Sequence, residues 1–263
     1  MQASSLPRRL LGLSRKARRR ARHGLLLSCH TDLEARALLS AVPAWIEQGP
    51  APINGSERID VPFGITTGAI QSVAINPGNP AQIYVATVNG GVWRTDNANG
   101  QNPAATRWTP LTDQLPSLAM GDLAFSPLDA SHKTLFAGTG SFSSGGPATD
   151  NAGGPPIGVL RTTDGGANWT VHPLNPGGAE FRVKALLPTS IRVRTPGGDQ
   201  PMVLAGTVLG GGLYRSDDNG ETYSLLSGHD GLPRGDVTSL IVDPNDPNRF
   251  YAGIAATSSS RGG

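Results

Sequence analysis

Three copies of one short sequence pattern constrain the fold of this chain more than any other feature. Each copy has a glycine, two apolar residues, an arginine, a small hydroxyl residue and then an acidic or amide turn. The copies occupy residues 91–97, 158–164 and 212–218. Their hydroxyl residues, Thr95, Thr162 and Ser216, are 67 and then 54 residues apart. A repeated supersecondary unit fixes the architecture, because each unit buries its apolar surface against its neighbours.

A second repeat, of short apolar segments, precedes the turns. The segments come in pairs: 70–77 with 83–87, 121–127 with 135–139, 183–188 with 202–207, and 237–244 with 250–253. Short apolar runs bounded by Pro, Asn and Asp predict buried β-strands. The second member of each pair has a small residue, at Ala86, Gly138, Gly206 and Gly253. Small residues suit the crowded centre of an arrangement in which strands converge.

The turn sequence resembles the Asp-box (BNR) repeat of β-propellers, S/T-x-D-x-G-x-x-W/Y. The two matching copies contain Thr162, Asp164, Gly166 and Trp169, and Ser216, Asp218, Gly220 and Tyr223. The first copy departs from the pattern, because Asn97 replaces the Asp and an insert delays the aromatic residue to Trp108. The resemblance implies a structural role: Asp164 and Asp218 hydrogen-bond their own turns, glycine supplies a positive φ, and the aromatic residues are mostly buried beneath.

Together the repeats predict an all-β fold, an incomplete β-propeller of about three and a half four-stranded blades, sortilin- and xyloglucanase-like, over residues 64–263. A Pro/Gly-rich linker is predicted over residues 42–63, and a basic leader over residues 1–41 that is poorly ordered against the β domain. Closed propellers have about 4–8 blades. The chain therefore looks like a fragment whose remaining blades, or another chain, are needed to close the propeller.

The leader concentrates the positive charge. Residues 1–36 hold nine Lys and Arg against Asp32 and Glu34, whereas the rest has 13 basic and 18 acidic residues. The basic block has no interleaved aromatic residues, which favours targeting over nucleic-acid binding. Residues 33–41, LEARALLSA, resemble the LEPRxLLSA leader motif of large planctomycete-type surface proteins. The resemblance implies export and an extracellular or cell-surface location. No run is long enough for a transmembrane helix.

The search for catalytic residues starts from a second resemblance. Residues 83–94 and 108–113 are similar to the start of xyloglucanase-type propeller hydrolases, in which an Asp before a Gly-Gly pair acts as a catalytic carboxylate. Here Val88 and Asn89 occupy that place. Glycoside hydrolysis uses two carboxylates, and an amide cannot transfer the proton. The sequence therefore predicts no catalytic residue. A loose match of residues 181–184 to the sialidase arginine motif is better explained as the start of a strand.

No metal or cofactor site is predicted. The five His residues are scattered without ligand spacing. The acidic residues 217–221 lack the length and spacing of an EF-hand loop. The glycines at 210–212 lack the Lys-Ser/Thr pair of a phosphate-binding loop.

Three functions stay open from the sequence. The leading hypothesis is an exported, non-catalytic module that binds carbohydrate or protein at the cell surface, on a face shaped by the inserts at 140–156 and 98–106. The alternative is the N-terminal part of a secreted xyloglucanase-like or other polysaccharide hydrolase. A third is a scaffold similar to the propeller assembly factors of photosystems. The substrate-binding residues are not identified.

Overall fold

The structure, a computed structural model, describes residues 53–54, 65–66, 69–98, 100–140 and 153–255. These residues all lie in a compact unit that spans residues 46–263. The predicted leader, residues 1–41, lies outside the described residues, as does most of the insert at 140–156.

The described residues form short antiparallel strands and one 3₁₀ helix, Pro103–Ala105. The strands are β1 (Ile53–Asn54), β2 (Ile65–Thr66), β3 (Ile70–Ile75), β4 (Ile83–Thr87), β5 (Val92–Thr95), β6 (Thr109–Pro110), β7 (Met120–Phe125), β8 (Leu135–Thr139), β9 (Val159–Thr162), β10 (Thr170–His172), β11 (Arg182–Thr195), β12 (Gly198–Val208), β13 (Gly212–Ser216), β14 (Ser224–Leu225), β15 (Asp236–Asp243) and β16 (Asp246–Ala255). Among these described residues, no helix is long and apolar enough to cross a membrane.

The strands form successive sheets with one topology. Strands β3–β6, β7–β10 and β11–β14 each make a four-stranded antiparallel sheet in which neighbours in sequence pair with each other. Strands β15 and β16 form a fourth sheet, of which two strands are described. We call these sheets blades 1 to 4. Strands β1 and β2 pair separately, and β1 falls inside the segment predicted as a linker.

The first strand of every blade has the same irregularity. The register shifts by one residue at Ile70/Ser72, Met120/Asp122, Val183/Ala185 and Val237/Ser239. A bulge at the same place bends each first strand and increases its twist. The repeated bulge shows that the blades are copies of one unit in their geometry as well as in their sequence.

Apolar side chains fill the spaces between consecutive blades. Tyr84 and Leu123 are in the cluster between blades 1 and 2, and Phe136 and Val203 are in the cluster between blades 2 and 3. A smaller cluster around Val237 joins blades 3 and 4. Blades 2 and 3 each bury one face against the previous blade and the other against the next. The predicted all-β fold of blade-like sheets is therefore confirmed.

The centre of this arrangement is tight. A Cβ atom built at Gly138 would lie 2.5 Å from Val183 Cγ1 of the next blade, and one built at Gly206 would lie 2.5 Å from Val237 Cγ1. Real Cβ contacts of this length do not occur, so glycine is required here by the approach of the neighbouring strand.

Candidate functional site

The blades present two edges with different contents. The connections β4–β5, β6–β7, β8–β9, β10–β11, β12–β13 and β14–β15 lie on one edge, which we call the loop edge. The connections β3–β4, β5–β6, β7–β8, β9–β10, β11–β12, β13–β14 and β15–β16, which include the three repeated turns, lie on the opposite edge, the turn edge. This division follows from the antiparallel order of the strands, because successive connections alternate between the two edges of a sheet.

The turn of blade 2 is held by its own side chains. Thr162 Oγ1 donates to Asp164 Oδ1 at 2.8 Å and accepts from the Gly166 amide at 2.9 Å. Asn168 donates its backbone amide to Asp164 Oδ1 at 2.9 Å and its side-chain amide to Oδ2 at 2.7 Å. The hydrogen bonds from Asn168, followed by that from Thr162, lower the pKa of Asp164 from 3.8 to about 2.

The turn of blade 3 repeats this geometry. Ser216 Oγ donates to Asp218 Oδ1 and accepts from the Gly220 amide, both at 2.7 Å. Thr222 donates its amide to Asp218 Oδ1 at 2.9 Å and its hydroxyl to Oδ2 at 2.5 Å. Burial raises the pKa of Asp218, but the hydrogen bonds from Thr222 and Ser216 outweigh it and lower the pKa below its ordinary value. A carboxylate stabilised in its ionised form is a poor proton donor at neutral pH.

Blade 1 keeps the arrangement with an amide in place of the acid. Thr95 Oγ1 donates to Asn97 Oδ1 at 3.0 Å, and the Arg107 backbone amide donates to the same oxygen at 2.9 Å. Arg107 precedes Trp108, just as Asn168 and Thr222 precede their aromatic residues. The insert is therefore looped out of a turn whose hydrogen bonds resemble those of the other two.

The aromatic residues after the turns pack towards the preceding blade. Trp169 lies against the apolar cluster between blades 1 and 2, and Tyr223 lies against the cluster between blades 2 and 3. Both residues are half-buried as a whole. Trp169 Nε1 and the Tyr223 hydroxyl are buried without a hydrogen-bond partner in the described part of the chain, and burial raises the pKa of Tyr223.

The acidic turns also join neighbouring blades. Tyr84 Oη and Arg94 Nη1 of blade 1 both donate to the Gly165 carbonyl in the turn of blade 2, each at 2.9 Å. Arg161 Nη1 of blade 2 donates to the Asn219 carbonyl of blade 3 at 2.7 Å, and Arg161 forms an ion pair with Glu221. The arginines of the first two copies of the pattern, Arg94 and Arg161, thus have structural partners in the next blade, whereas Arg215 pairs with Asp217 of its own blade.

One prediction about the inserts is wrong. Residues 98 and 100–106, between β5 and β6, lie on the turn edge, whereas the two ends of the other insert, after β8 and before β9, lie on the loop edge. The described parts of the two inserts therefore lie on opposite edges. The physical reason is that the connection after a third strand and the connection after a second strand lie at opposite ends of a meander.

Asn89 lies on the loop edge and, with Val88, stands where the resemblance to xyloglucanase-type hydrolases leads us to expect a catalytic Asp. Its Oδ1 accepts a hydrogen bond from the Gly153 amide of blade 2 at 3.1 Å. The adjoining chain is fixed as well, because Trp93 Nε1 donates to the Gly90 carbonyl at 2.7 Å and the Gly91 amide donates to the Leu118 carbonyl at 2.8 Å. Asn89 is thus a connector between two loops.

Two carboxylates near the loop edge also accept hydrogen bonds from backbone amides. Glu180 accepts from the amides of Leu174 at 3.0 Å and Asn175 at 2.9 Å. Asp236 Oδ1 accepts from the Gly210 amide at 2.9 Å. Each of these two groups fixes a loop. The oxygens named above accept hydrogen bonds from the protein's own backbone, which gives both groups a structural role.

Asp122 is a polar residue that sequence analysis missed. Its Oδ1 accepts from Ser72 Oγ of blade 1 at 2.8 Å, and its Oδ2 accepts from the Leu186 amide of blade 3 at 2.7 Å. A carboxylate on the first strand of blade 2 therefore joins three blades. A single Asp inside a short strand carries no sequence signal for this role.

Leu209 is the second residue that sequence analysis missed. It lies between β12 and β13 on the loop edge, has a φ of 64°, and is 65% exposed. Aliphatic residues rarely adopt positive φ, and such strain often marks a functional loop. Leu209 is followed by Gly210 and Gly211, but nothing in the sequence identifies the leucine itself as the strained residue.

The other residues considered in the sequence analysis do not form a catalytic or metal-binding arrangement in the described part of the chain. Residues 182–184 of the loose sialidase match lie at the start of β11. An open pocket of about 470 Å³ lies beside the blade 3 turn, where it contains the Arg215–Asp217 ion pair as well as Asp218 and Tyr223. Asp164 is not among its lining residues. No group of three or more potential metal ligands occurs in the described ranges.

Comparisons with known proteins connect this geometry to one group of enzymes. A xyloglucanase from Hypocrea jecorina is 23% identical over 221 residues, which cover 78% of this chain and 23% of that enzyme. A xyloglucanase from Paenibacillus sp is 28% identical over 176 residues, which cover 64% of this chain and 15% of that enzyme. The chain spans less than a quarter of the length of these curated relatives. No protein-family profile matches it.

A solved structure supports the fold. The crystal structure of an ancestral GH74 enzyme aligns with a TM-score of 0.50 at 16% identity, covering 81% of this chain and 23% of that one. The match extends over most of this chain and about a quarter of that enzyme. It confirms the predicted incomplete β-propeller. Xyloglucanases are thus the relatives of this chain in sequence, and a GH74 enzyme is similar to it in fold.

Proposed function

We propose that this chain forms part of the polysaccharide-binding surface of an extracellular, xyloglucanase-like propeller protein, and that its described residues bind the glycan without cleaving it. The observation that carries the proposal is Asn89. Val88 and Asn89 stand where the resemblance to xyloglucanase-type hydrolases leads us to expect a catalytic Asp, and the Asn89 amide oxygen accepts a hydrogen bond from the Gly153 amide. Because an amide cannot act as general acid or base, the loop edge retains a binding role.

Two further observations support a glycan at the loop edge. The relatives are named xyloglucanases, and that name denotes action on xyloglucan. Leu209 offers an exposed apolar contact from a strained loop, and sugar rings present apolar faces to such side chains. The acidic turns lie on the opposite edge and are not part of the proposed surface.

Binding and hydrolysis are tested together with the full chain and xyloglucan oligosaccharides. We expect calorimetry to detect binding and a reducing-sugar assay to detect no cleavage. Mannan oligosaccharides serve as the control glycan. Release of reducing ends by the chain would contradict the non-catalytic part of the proposal, and equal affinity for both glycans, or none for either, would contradict the binding part.

The variant Leu209→Gly separates the backbone strain at residue 209 from the apolar contact that the leucine side chain offers to the glycan. We predict that the variant is about 1 kcal/mol more stable to urea, because glycine adopts positive φ without steric cost. We also predict that it binds xyloglucan oligosaccharide several-fold more weakly, because the apolar contact is lost. Leu209→Asn, which also tolerates positive φ, is the matched control. Unchanged affinity in both variants would remove Leu209 from the proposed surface.

A further inference from the structure

Asn89 and Gly90 form a dipeptide that is chemically labile in proteins. In an Asn-Gly step, the glycine nitrogen can attack the side-chain carbonyl carbon of the asparagine, because glycine has no side chain to hinder the approach. The chain contains such steps at residues 54–55, 89–90, 99–100 and 219–220. The structure describes both residues of the step, with their surroundings, at 89–90 and at 219–220. These two steps differ in what surrounds the asparagine side chain.

The side-chain carbonyl of Asn89 is polarised by the protein. Its Oδ1 accepts a hydrogen bond from the Gly153 amide at 3.1 Å. Attack on the side-chain carbon places negative charge on this oxygen, and a fixed backbone N–H directed at developing charge lowers the barrier. Asn89 and Gly90 are both half-buried on the loop edge, so water reaches the reacting groups. The Gly153 amide therefore promotes the reaction at this step.

The attacking nitrogen lies in a turn that requires a glycine. The Gly90 amide donates to the Thr87 hydroxyl at 2.9 Å, and that hydroxyl donates to the Gly91 carbonyl at 2.9 Å. A Cβ built at Gly90 would lie 2.9 Å from Thr87 Oγ1. A larger residue would thus displace the hydroxyl that holds the turn. The labile step is therefore a consequence of the turn geometry.

Asn219 and Gly220 provide a matched step within the same chain. The Gly220 amide also donates to a hydroxyl, that of Ser216, at 2.7 Å. Asn219 Oδ1, however, is buried and accepts no hydrogen bond from the described residues, and Gly220 is buried as well. Negative charge that develops on a buried oxygen without a donor is costly. The two steps thus share a dipeptide and a hydroxyl acceptor and differ in exposure and in the donor to Oδ1.

We propose that Asn89 deamidates spontaneously in the folded chain, so that a carboxylate replaces the amide at the loop edge. The Gly90 nitrogen bonds to Asn89 Cγ, the Cγ–Nδ2 bond breaks, and the nitrogen leaves as ammonia with the Gly90 amide proton. The cyclic imide that remains is opened by water at either of its carbonyls. Each route leaves a carboxylate, in an aspartate or an isoaspartate residue. The net reaction consumes water and releases ammonia, without oxidation or reduction.

The product changes the charge of the loop edge. A negative charge arises where the resemblance to xyloglucanase-type hydrolases leads us to expect a catalytic Asp. Glycoside hydrolysis uses two carboxylates, so the proposed change adds a charged hydrogen-bond acceptor and not a complete catalytic pair. Deamidation at Asn89 requires only the loop geometry and is independent of the proposed glycan binding.

The test is peptide mass mapping of the full chain during incubation in mildly alkaline buffer, with and without urea. Tryptic cleavage releases Asn89 within residues 59–94 and Asn219 within residues 216–234, so each step is measured separately. A digest made before incubation provides the baseline. In urea we expect similar rates of amide-to-acid conversion at both steps, because the dipeptide is the same. In the folded chain we expect Asn89 to convert about tenfold or more faster than Asn219.

Two outcomes of this comparison overturn the proposal. Conversion of Asn89 in urea but not in the folded chain would show that the loop protects the step. Equal rates at Asn89 and Asn219 in the folded chain would remove the role of the Gly153 amide. Asn89→Gln is the matched variant, because glutamine keeps the amide but closes a larger ring much more slowly. The mass change in residues 59–94 should disappear in this variant, and its persistence would place the modification at another residue.

Discussion

Asp164 accepts hydrogen bonds from the hydroxyl of Thr162 and from two nitrogens of Asn168, all within its own turn. At the scale of single residues, these hydrogen bonds give the repeated carboxylate a structural role within its turn. A group whose lone pairs are occupied by fixed donors is stabilised as an anion. Asn97 shows that an amide oxygen can take the same place, since it accepts from Thr95 and Arg107.

The low pKa of Asp164 has a consequence for stability. Its folded pKa of about 2 lies below the ordinary value of 3.8, so its contribution is fully present above pH 4 and is lost as the pH falls towards 2. We predict that Asp164→Asn is about 1 kcal/mol less stable than the unmodified chain at pH 6, a value limited by solvent screening of this exposed group. The difference should shrink as the pH falls through 2 and vanish only below that value.

Urea unfolding at a series of pH values measures this difference. Asp113→Asn, an exposed acid on the loop edge, is the control and should change stability little at any pH. The role of the turn carboxylate would be contradicted if the difference in unfolding free energy between Asp164→Asn and the unmodified chain grew below pH 4.

At the scale of elements, the blade unit is set by close approach between strands. Gly138 of β8 faces Val183 of β11, and Gly206 of β12 faces Val237 of β15. Blade 1 has Ala86 at the same position, fully buried. The repeat therefore tolerates one methyl group where the neighbouring strand leaves room for it, and none where a β-branched valine approaches.

Gly138→Ala tests this approach. We predict a loss of about 1–3 kcal/mol in the free energy of unfolding, because the added methyl group overpacks against Val183. Adding Val183→Ala should recover part of the loss, so that the double variant is more stable than the sum of the single effects allows. Gly197→Ala at the β11–β12 hairpin is the control, since its nearest neighbour is 3.8 Å away. Equal costs at the two glycines would contradict the packing argument.

The elements also show which features the sequence could predict. The paired strands and the acidic turns have local signatures, namely apolar runs between turn residues and a fixed spacing of Thr or Ser, Asp and Gly. The edge on which residues 98–106 lie was mispredicted, because a repeat spacing carries no information about edges. Asp122 and Leu209 could not be found, since their roles depend on neighbours distant in sequence and on one backbone angle.

At the scale of the whole molecule, the blades are joined by polar contacts as well as by apolar clusters. Asp122 of blade 2 connects Ser72 of blade 1 with the Leu186 amide of blade 3. Tyr84 and Arg94 connect blade 1 to the turn of blade 2. Because each blade contacts only its neighbours, such joints determine whether the blades unfold together or in sequence.

Asp122→Ala should therefore weaken two junctions at once. We predict a loss of about 2–3 kcal/mol, because the Leu186 amide is left without its charged acceptor. We also predict a broader unfolding transition as blade 1 separates from blades 2 and 3. Asp113→Ala is the control, with an expected change below about 0.5 kcal/mol. A two-state transition of unchanged midpoint in Asp122→Ala would contradict this role.

The central claim is that the acidic turns are structural joints between consecutive blades. The most direct measurement is a set of nuclear Overhauser effects in the isotopically labelled chain. The structure predicts contacts from the Tyr84 ring to Gly165 and Phe125, and from the Phe136 ring to Gly220. Strand-pairing contacts within each blade without these aromatic-to-turn contacts between blades would contradict the claim.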